Sequence, residues 1–383
     1  MGSTTDKKMA AQGLTIEGLP IEVLLDILSH LDIGSLTTIS HTSQRLRATI
    51  IANWNAILLP ILQRDFSPVG SLVELLELRT SGNKVPPTAS CRDVAIPVDN
   101  HKDIPVHQLL ARLSPISRQC TLKVCLTIKG WEREFQRLRF AWHPEHSRCL
   151  FEHELERLRQ ALYTWWQFAL YFHYEVEENL DGSATRTHFI RRLSTAAIHE
   201  TLDMWMTIEA GLLAEVFPSV QRVEKLSGGT LTTAEAARLG WGEEYESSII
   251  VATVMRLPPD DLLHILVYRH RYATKASMAQ AIRLRNPWIE EGLESFTDAL
   301  ISNMWPRTPE HTDFSLLPGP LNHRGTVTRM FPNYFGGIID HDTPEHEGFR
   351  VRYSDDGGIG RCACPNKYSL YSGVSCGKLM PTW

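Results

Sequence analysis

The sequence predicts a mainly α-helical protein, with a small helical unit at the N-terminal end, a larger helical domain and an irregular C-terminal tail. Over most of the first 305 residues, apolar residues recur every three or four positions, as they do in amphipathic helices. Proline and capping residues stand at the start of many of these stretches. Residues 306–383 are instead rich in glycine and proline, which indicates irregular structure with a few short strands, such as FRVRY at 349–353.

The first helix is predicted from LPIEVLLDILSHL, residues 19–31. Pro20 suits a helix start, because a proline there lacks only an N–H that would have no helical partner. Glu22 follows in the first turn, where an acidic side chain interacts favourably with the helix dipole. The apolar residues of this stretch then form one stripe with spacings of three and four: Leu24, Ile27, Leu28 and Leu31, widened by Val23.

Two further short helices follow. Asp32 and Gly34 end the first helix, and Asp32 is a suitable N-cap for a second helix that carries Leu36 and Ile39. Thr42 or Ser43 can cap a third. Three helices within about 35 residues rarely fold well alone. We therefore expect a partner to cover part of their apolar surface.

These residues resemble an F-box. The resemblance rests on Leu-Pro-x-Glu-x-Leu-Leu-x-Ile-Leu-x-x-Leu, a later leucine, Thr-Ser-x-Arg-Leu-Arg and a tryptophan, and it covers about residues 16–55 of a unit assigned to 16–62. The resemblance implies binding to a Skp-type adaptor and, through it, to a cullin-based ubiquitin ligase. The implied adaptor-binding residues are Leu19, Pro20, Val23, Ile27, Leu28, Leu31, Leu36 and Leu46. Ser35 departs from the pattern, since the family often has Asp there. A local helical hairpin that happens to begin Leu-Pro is the alternative, and it accounts for fewer of these positions.

Changes in composition divide the rest of the chain into three regions. Residues 63–105 contain a helix that starts near Ser67-Pro68, followed by a proline-rich linker. Residues 106–305 form the predicted α-helical domain, and residues 306–383 form the tail. Predicted helices of the domain cover 145–174, 188–217, 243–255, 258–269, 274–285 and 287–305, with a short helix capped at Thr232-Thr233.

Repeats of known type are absent from the pattern. LPPDDLLHIL at 257–266 echoes the first helix, but nothing like the second and third helices follows, so a second F-box is disfavoured. No leucine-rich or WD-type repeat is visible. The segment RLRQALYTWWQFALYFHYE also resembles fungal-type F-box proteins that lack a named repeat domain.

No motif predicts catalysis, a metal or a cofactor. GVSCG at 373–377 matches a nucleophile elbow, but no His, Asp or Glu follows to complete a triad. DDGGIGR at 355–361 lacks the Lys-Ser/Thr of a phosphate loop. A zinc site is disfavoured by the spacing of its candidate ligands, which are Cys362, Cys364 and Cys376 with His341 and His346.

Composition also indicates which partners and which cell compartment to expect. The net charge of −5 gives no basic surplus for nucleic acid, and no apolar run is long enough to span a membrane. Seven scattered cysteines and the lack of a glycosylation sequon fit a reducing compartment, so we expect an intracellular protein of the cytoplasm or nucleus.

The expected function is that of a non-catalytic adaptor that recruits a protein substrate to a Skp-cullin-F-box ligase. The alternatives are an F-box protein acting outside a ligase and an enzyme whose site leaves no motif. Because neighbouring residues on a helix point about 100° apart, at least one of two adjacent tryptophans should leave the main core face. The candidate substrate surface is therefore Trp165, Trp166, Tyr171 and His173. The alternative is that both tryptophans are buried by other helices.

Overall fold

The computed structural model describes residues 16–80, 115–141, 147–172 and 188–286, with residues 108, 110 and 113 and the short segments 338–339, 351–352 and 361–362. The four long ranges are almost entirely helical, which confirms the predicted fold class. Among the described residues, strands are confined to β1 (Val351–Arg352) and β2 (Arg361–Cys362), which pair antiparallel.

The N-terminal helices follow the prediction closely. They are α1 (Ile21–His30), α2 (Ile33–Thr42), α3 (Gln44–Ala52) and α4 (Trp54–Asp65), preceded by a short 3-10 turn at Ile16–Gly18. The Asp32 carboxylate accepts hydrogen bonds from the backbone N–H groups of Gly34 and Ser35, both at 2.9 Å, and so caps α2. Ser43 caps α3 by accepting from the N–H of Leu46 at 3.3 Å.

The following helices build the larger part of the structure. They are α5 (Val69–Thr80), α6 (Pro115–Arg139), α7 (Glu152–Phe172), α8 (Thr195–Glu215), α9 (Val220–Leu226), α10 (Thr233–Leu239), α11 (Glu244–Val254), α12 (Pro259–Tyr268) and α13 (Lys275–Arg285). Thr232 and Glu235 form the capping box of α10, as the sequence predicted for Thr232. The helix predicted at 287–305 lies outside the described residues.

Helix α6 was not predicted from the sequence, although its residues carry the helical signal. Its buried side chains are spaced by three and four along the helix: Val124, Ile128, Trp131, Phe135 and Leu138. The helix also contains many charged residues, so its overall composition does not reveal the apolar stripe. Helix α6 matters because it lies between the two hydrophobic clusters of the protein.

The first of these, which we call the N-terminal cluster, contains buried residues from α1 through α5. It also takes Val124, Cys125 and Ile128 from the first half of α6, and Tyr163 and Trp166 from α7. The F-box helices therefore share one core with helices outside the F-box. Helix α5 is the helix predicted within 63–105, and it packs inside this cluster, so the predicted boundary at residue 62 does not separate two cores.

The second, which we call the body cluster, is built from the second half of α6, from α7, α8, α11, α12 and α13. Three polar contacts link distant parts of the chain, and the last of them joins the two clusters. The Tyr163 hydroxyl donates to the carbonyl of Phe66 at 3.0 Å, and the Trp131 indole N–H donates to the carbonyl of Pro259 at 2.9 Å. The Arg79 guanidinium pairs with the Asp260 carboxylate at 2.7 Å, which joins α5 to α12.

Part of the region predicted as an irregular tail is also buried. Ile338 and Ile339 are almost completely inaccessible and belong to the body cluster. The region predicted to be irregular, 306–383, thus contains a dipeptide that is part of the core. Two adjacent isoleucines in a polar, glycine-rich stretch are the sequence signal for it.

Candidate functional site: the outer face of the first helix

Helix α1 has one face in the N-terminal cluster and one face in solvent. Leu24 and Leu28 point inward and are buried. Pro20 and Val23 are exposed on the other side, and Ile27 is half-buried there. Positions 20, 23, 27 and 31 are three or four residues apart, so they lie along one face of the helix. The exposed side of α1 thus carries apolar residues beside the exposed polar residues Glu22, Asp26 and His30.

Neighbouring residues extend this apolar surface. Ile16 and Ile21 are also exposed, and Leu19 and Leu31 are half-buried. We call the exposed and half-buried set the α1 surface: Ile16, Leu19, Pro20, Ile21, Val23, Ile27 and Leu31. Ile16 and Ile21 were not among the residues predicted from the sequence. Both are aliphatic residues close to the Leu-Pro entry, and that closeness was the available signal.

The ends of α1 are fixed by side chains from other helices. The Arg64 guanidinium in α4 donates to the carbonyl of Leu31 at 2.9 Å and to that of His30 at 3.4 Å, which satisfies acceptors at the C-terminal end of α1. At the entry, the Ser43 hydroxyl donates to the Glu17 carboxylate. These contacts hold α1 in place without using its outer face.

The loop between α1 and α2 shows why Ser35 is acceptable where the family often has Asp. The Ser35 hydroxyl donates to the Asp32 carboxylate at 2.5 Å. Hydrogen bonds from the Ser35 side chain and backbone lower the pKa of Asp32, so the cap stays ionised and strong. Ser35 therefore reinforces the cap of α2 instead of weakening it.

Three of the predicted adaptor-binding residues do not lie on a surface. Leu28, Leu36 and Leu46 are buried in the N-terminal cluster. A buried side chain cannot contact a partner unless the module opens, so these three residues stabilise the fold that presents the α1 surface. The sequence match did not separate exposed from buried positions, because both are apolar. Leu19, Pro20, Val23, Ile27 and Leu31 are accessible, and their contact with an adaptor stays a prediction.

The predicted substrate surface is contradicted by burial. Trp165, Trp166 and Tyr171 are 0%, 1% and 8% exposed. The Trp165 ring packs edge-to-face with the rings of Trp131 and Trp205, at centroid distances of 5.7 and 5.4 Å. These side chains are core, and they line no open groove. His173 lies outside the described residues.

The described part of the chain contains no cluster of side chains that could hold a metal ion. Groups of three or more His, Cys, Asp or Glu side chains that could hold a metal ion do not occur there. Cys120, Cys125 and Cys149 are free thiols, and burial raises the pKa of Cys125 well above its usual range. The side chains of the disfavoured zinc site and the GVSCG motif lie outside the described residues. None of the helices within the described ranges has both the length and the apolar character that crossing a membrane requires.

Comparison with known families agrees with this geometry. Residues 16–54 match the F-box domain, and the match spans α1, α2 and α3. The chain therefore carries an F-box domain at residues 16–54. F-box domains bind Skp-type adaptors and generally belong to Skp-cullin-F-box ubiquitin ligases. No curated protein and no solved structure matches the chain significantly.

Proposed function

We propose that the protein is the substrate-recruiting subunit of a Skp-cullin-F-box ubiquitin ligase, and that it binds the Skp-type adaptor through the α1 surface. The observation that carries the proposal is the apolar outer face of α1 within a matched F-box domain. Single exposed apolar residues are ordinary on protein surfaces, but several in one short segment support an interaction site.

The size of this surface supports binding of useful strength. Ile21 and Val23 are each 44–45% exposed, and full burial of an aliphatic side chain contributes about 1.5–3 kcal/mol. Because these two side chains are already partly covered, each would contribute less than that, and the half-buried Leu19, Ile27 and Leu31 would add to the total. The buried leucines of the N-terminal cluster keep these side chains in place, which limits the conformational entropy lost on binding.

Substrate recruitment would act by proximity. Holding a substrate beside a charged conjugating enzyme raises its effective concentration, and no group of this chain needs to enter the reaction. The rigid connection between the F-box helices and the body supports this role. Helices α6 and α7 contribute to both hydrophobic clusters, so the two parts have no flexible joint in the shared helices. The setting is the cytoplasm or the nucleus, and the fungal-type organisation stays a prediction.

A pull-down with purified Skp-type adaptor tests the proposal. Val23→Asp and Ile27→Asp place a charge on the α1 surface and should abolish capture of the adaptor. Leu284→Asp is the matched control, because Leu284 is 77% exposed and lies in α13, far from α1 in sequence. Circular dichroism verifies that each variant keeps its helical content.

The outcome also separates a ligase subunit from an F-box protein that acts outside a ligase. For a ligase subunit, a cullin should co-purify with the wild-type chain and should be lost together with the adaptor in Val23→Asp. Capture of the adaptor without any cullin favours action outside a ligase. Undiminished adaptor capture by both folded α1 variants would remove the proposal.

A further inference from the structure

The body contains a buried ion pair that also receives a distant part of the chain. The Arg139 guanidinium, at the end of α6, pairs with the Asp203 carboxylate in α8 at 2.8 Å. Their side chains are 6% and 2% exposed. Arg139 also donates to the Thr207 hydroxyl at 3.2 Å. A carboxylate has two oxygens, and the 2.8 Å contact with Arg139 is made by Oδ1 of Asp203.

The second oxygen of Asp203 accepts a hydrogen bond from the backbone. The N–H of Ile338 donates to Oδ2 at 3.0 Å, across a sequence separation of 135 residues. The side chains of Ile338 and Ile339 are 0% and 1% exposed and lie in the body cluster. Neighbouring side chains in a chain segment point in different directions. Because both are buried and the N–H is bonded, the body surrounds the dipeptide, and we call the place that it occupies the cleft.

The receiving helices are held together by contacts that do not involve the dipeptide. Gly211 in α8 lets the Leu138 side chain of α6 approach so closely that an added Cβ would lie 2.5 Å from it. The Arg137 guanidinium in α6 pairs with the Glu215 carboxylate in α8 at 2.6 Å. The carboxylate that receives Ile338 thus belongs to α8, which is fixed against α6, and Arg139 of α6 pairs with that carboxylate.

We propose that this cleft is a peptide-binding site for a segment with two adjacent aliphatic side chains, and that Ile338–Ile339 occupies it in cis. Recognition uses a backbone N–H, which every peptide residue except proline has, and two apolar side chains. These features can be supplied by another chain as well as by this one. The idea that the cleft binds a substrate rests on the proposed function of the protein. The idea that it binds a peptide does not.

A vacated cleft should accept the same segment as a separate peptide. Ile338→Ser/Ile339→Ser in the full-length chain removes the apolar part of the occupant. A fluorescently labelled synthetic peptide with the sequence of residues 333–343 should bind this variant with a dissociation constant below about 1 mM. Wild type should bind it more weakly, by about tenfold if the dissociation constant is about 0.1 mM, because a tethered segment competes at an effective concentration on the order of millimolar. The control is the same peptide with both isoleucines replaced by serine, which should not bind.

Hydrogen exchange on the wild-type chain gives a second test that needs no variant. A docked segment leaves its cleft without unfolding of the receiving helices, so the amides of Ile338 and Ile339 should exchange much faster than those in the centre of α8. Protection equal to that of α8 would mean that the dipeptide is an inseparable part of the core, and would overturn the proposal.

The other possible results with the doubly substituted variant would contradict the proposal. A vacated variant that unfolds, or one that stays folded and binds no peptide at about 1 mM, contradicts a peptide site. Both measurements use the isolated chain without an adaptor. A failed adaptor pull-down would therefore remove the ligase proposal and leave the peptide site standing, and the reverse also holds.

Discussion

Trp165 and Trp166 are neighbours in the chain, yet their indole rings are buried in two different hydrophobic clusters. Trp165 lies in the body cluster and Trp166 in the N-terminal cluster. Side chains of adjacent helical residues point about 100° apart, so one helix can present the two rings to opposite neighbours. The Arg79 guanidinium covers the Trp166 ring at 5.1 Å from its centroid. Helix α7 thus forms the wall shared by the F-box side and the body.

Truncation of either tryptophan should strongly destabilise the protein, and each truncation should affect a different hydrophobic cluster. Trp165→Ala and Trp166→Ala should each lower the free energy of unfolding by about 3–5 kcal/mol, because each leaves a large cavity in a packed core. Urea denaturation followed by circular dichroism measures the loss.

Hydrogen exchange locates the damage caused by each substitution. Trp166→Ala should raise exchange mainly in α1 through α5, and Trp165→Ala mainly in α8 and α11 through α13, following the membership of the two clusters. Leu284→Ala, at an exposed position, should change stability by less than about 0.5 kcal/mol. Identical exchange patterns in the two tryptophan variants would argue against two distinct clusters.

The ion pair between Arg79 and Asp260 should stabilise the connection between α5 and α12. The two side chains are 2.7 Å apart and only 20% and 14% exposed, so solvent screens the pair little. A double-mutant cycle with Arg79→Ala and Asp260→Asn should give a coupling energy of about 1 kcal/mol or more.

The control cycle uses the more exposed pair of Arg285 and Asp261, at 3.3 Å. Exposed pairs contribute about 0–1 kcal/mol, so its coupling energy should be smaller. Equal coupling energies in the two cycles would show that Lys123, which lies 3.6 Å from Asp260, takes over when Arg79 is removed.

The local structure of the F-box was predictable because its signals are local. The cap at Asp32, the cap at Ser43 and the apolar stripe of α1 each depend on residues a few positions apart. The sequence does not predict which apolar residues contact another protein and which contact residues far away in the same chain. Leu28 and Val23 both look like interface residues in the sequence, and only the packing of the module separates them. The same holds for Ile338, whose partner Asp203 is 135 residues away.

The close approach of α6 and α8 should depend on the absence of a side chain at Gly211. A Cβ there would lie 2.5, 2.8 and 3.1 Å from three side-chain atoms of Leu138, so the whole leucine or one helix must move. Gly211→Ala should lower the free energy of unfolding by about 1–3 kcal/mol, since overpacking outweighs the gain in helix propensity.

Gly130→Ala is the matched comparison on α6. Its Cβ would meet one methyl group of Leu263 at 2.6 Å, while the other atoms stay at 3.6 and 3.7 Å. One methyl can turn away, so the propensity gain of about 1 kcal/mol should nearly offset the clash. Thermal denaturation of both variants should therefore rank Gly211→Ala as the less stable, and the opposite ranking would refute a tight contact between α6 and α8 at Gly211.

Stability should fall as the pH rises through neutrality because of Glu200. Burial raises the pKa of this carboxyl group to about 7, with a lowering effect from Arg157 and a further raising effect from Asp203. Between its ordinary pKa of 4.5 and about 7, the folded chain binds more protons at this site than the unfolded chain does. The free energy of unfolding contributed by Glu200 is therefore complete below pH 4.5 and is lost as the pH rises through about 7.

Glu200→Gln tests this sign, since glutamine keeps the shape and stays neutral. Compared with wild type, the variant should be more stable at about pH 8 and similar at about pH 4, as measured by urea denaturation at each pH. Glu235→Gln is a control at a carboxyl group whose pKa is lowered instead of raised. Hydrogen bonds from Thr232 lower the pKa of Glu235, so its removal should not stabilise the protein at either pH. A stabilising effect of Glu200→Gln at low pH would contradict a raised pKa at Glu200.

The α1 surface and the core beneath it should respond differently to the same kind of truncation. Val23 is exposed and Leu28 is fully buried, although both lie on α1 within the matched F-box. Val23→Ala should weaken binding of the Skp-type adaptor while changing the free energy of unfolding by less than about 0.5 kcal/mol. Leu28→Ala should instead lower that free energy by about 2–5 kcal/mol, because it opens a cavity in the N-terminal cluster. Calorimetric titration with the adaptor and urea denaturation separate the two effects. If Val23→Ala binds the adaptor as wild type does, and Leu28→Ala loses binding while staying as stable as wild type, the assignment of surface and core in α1 is wrong.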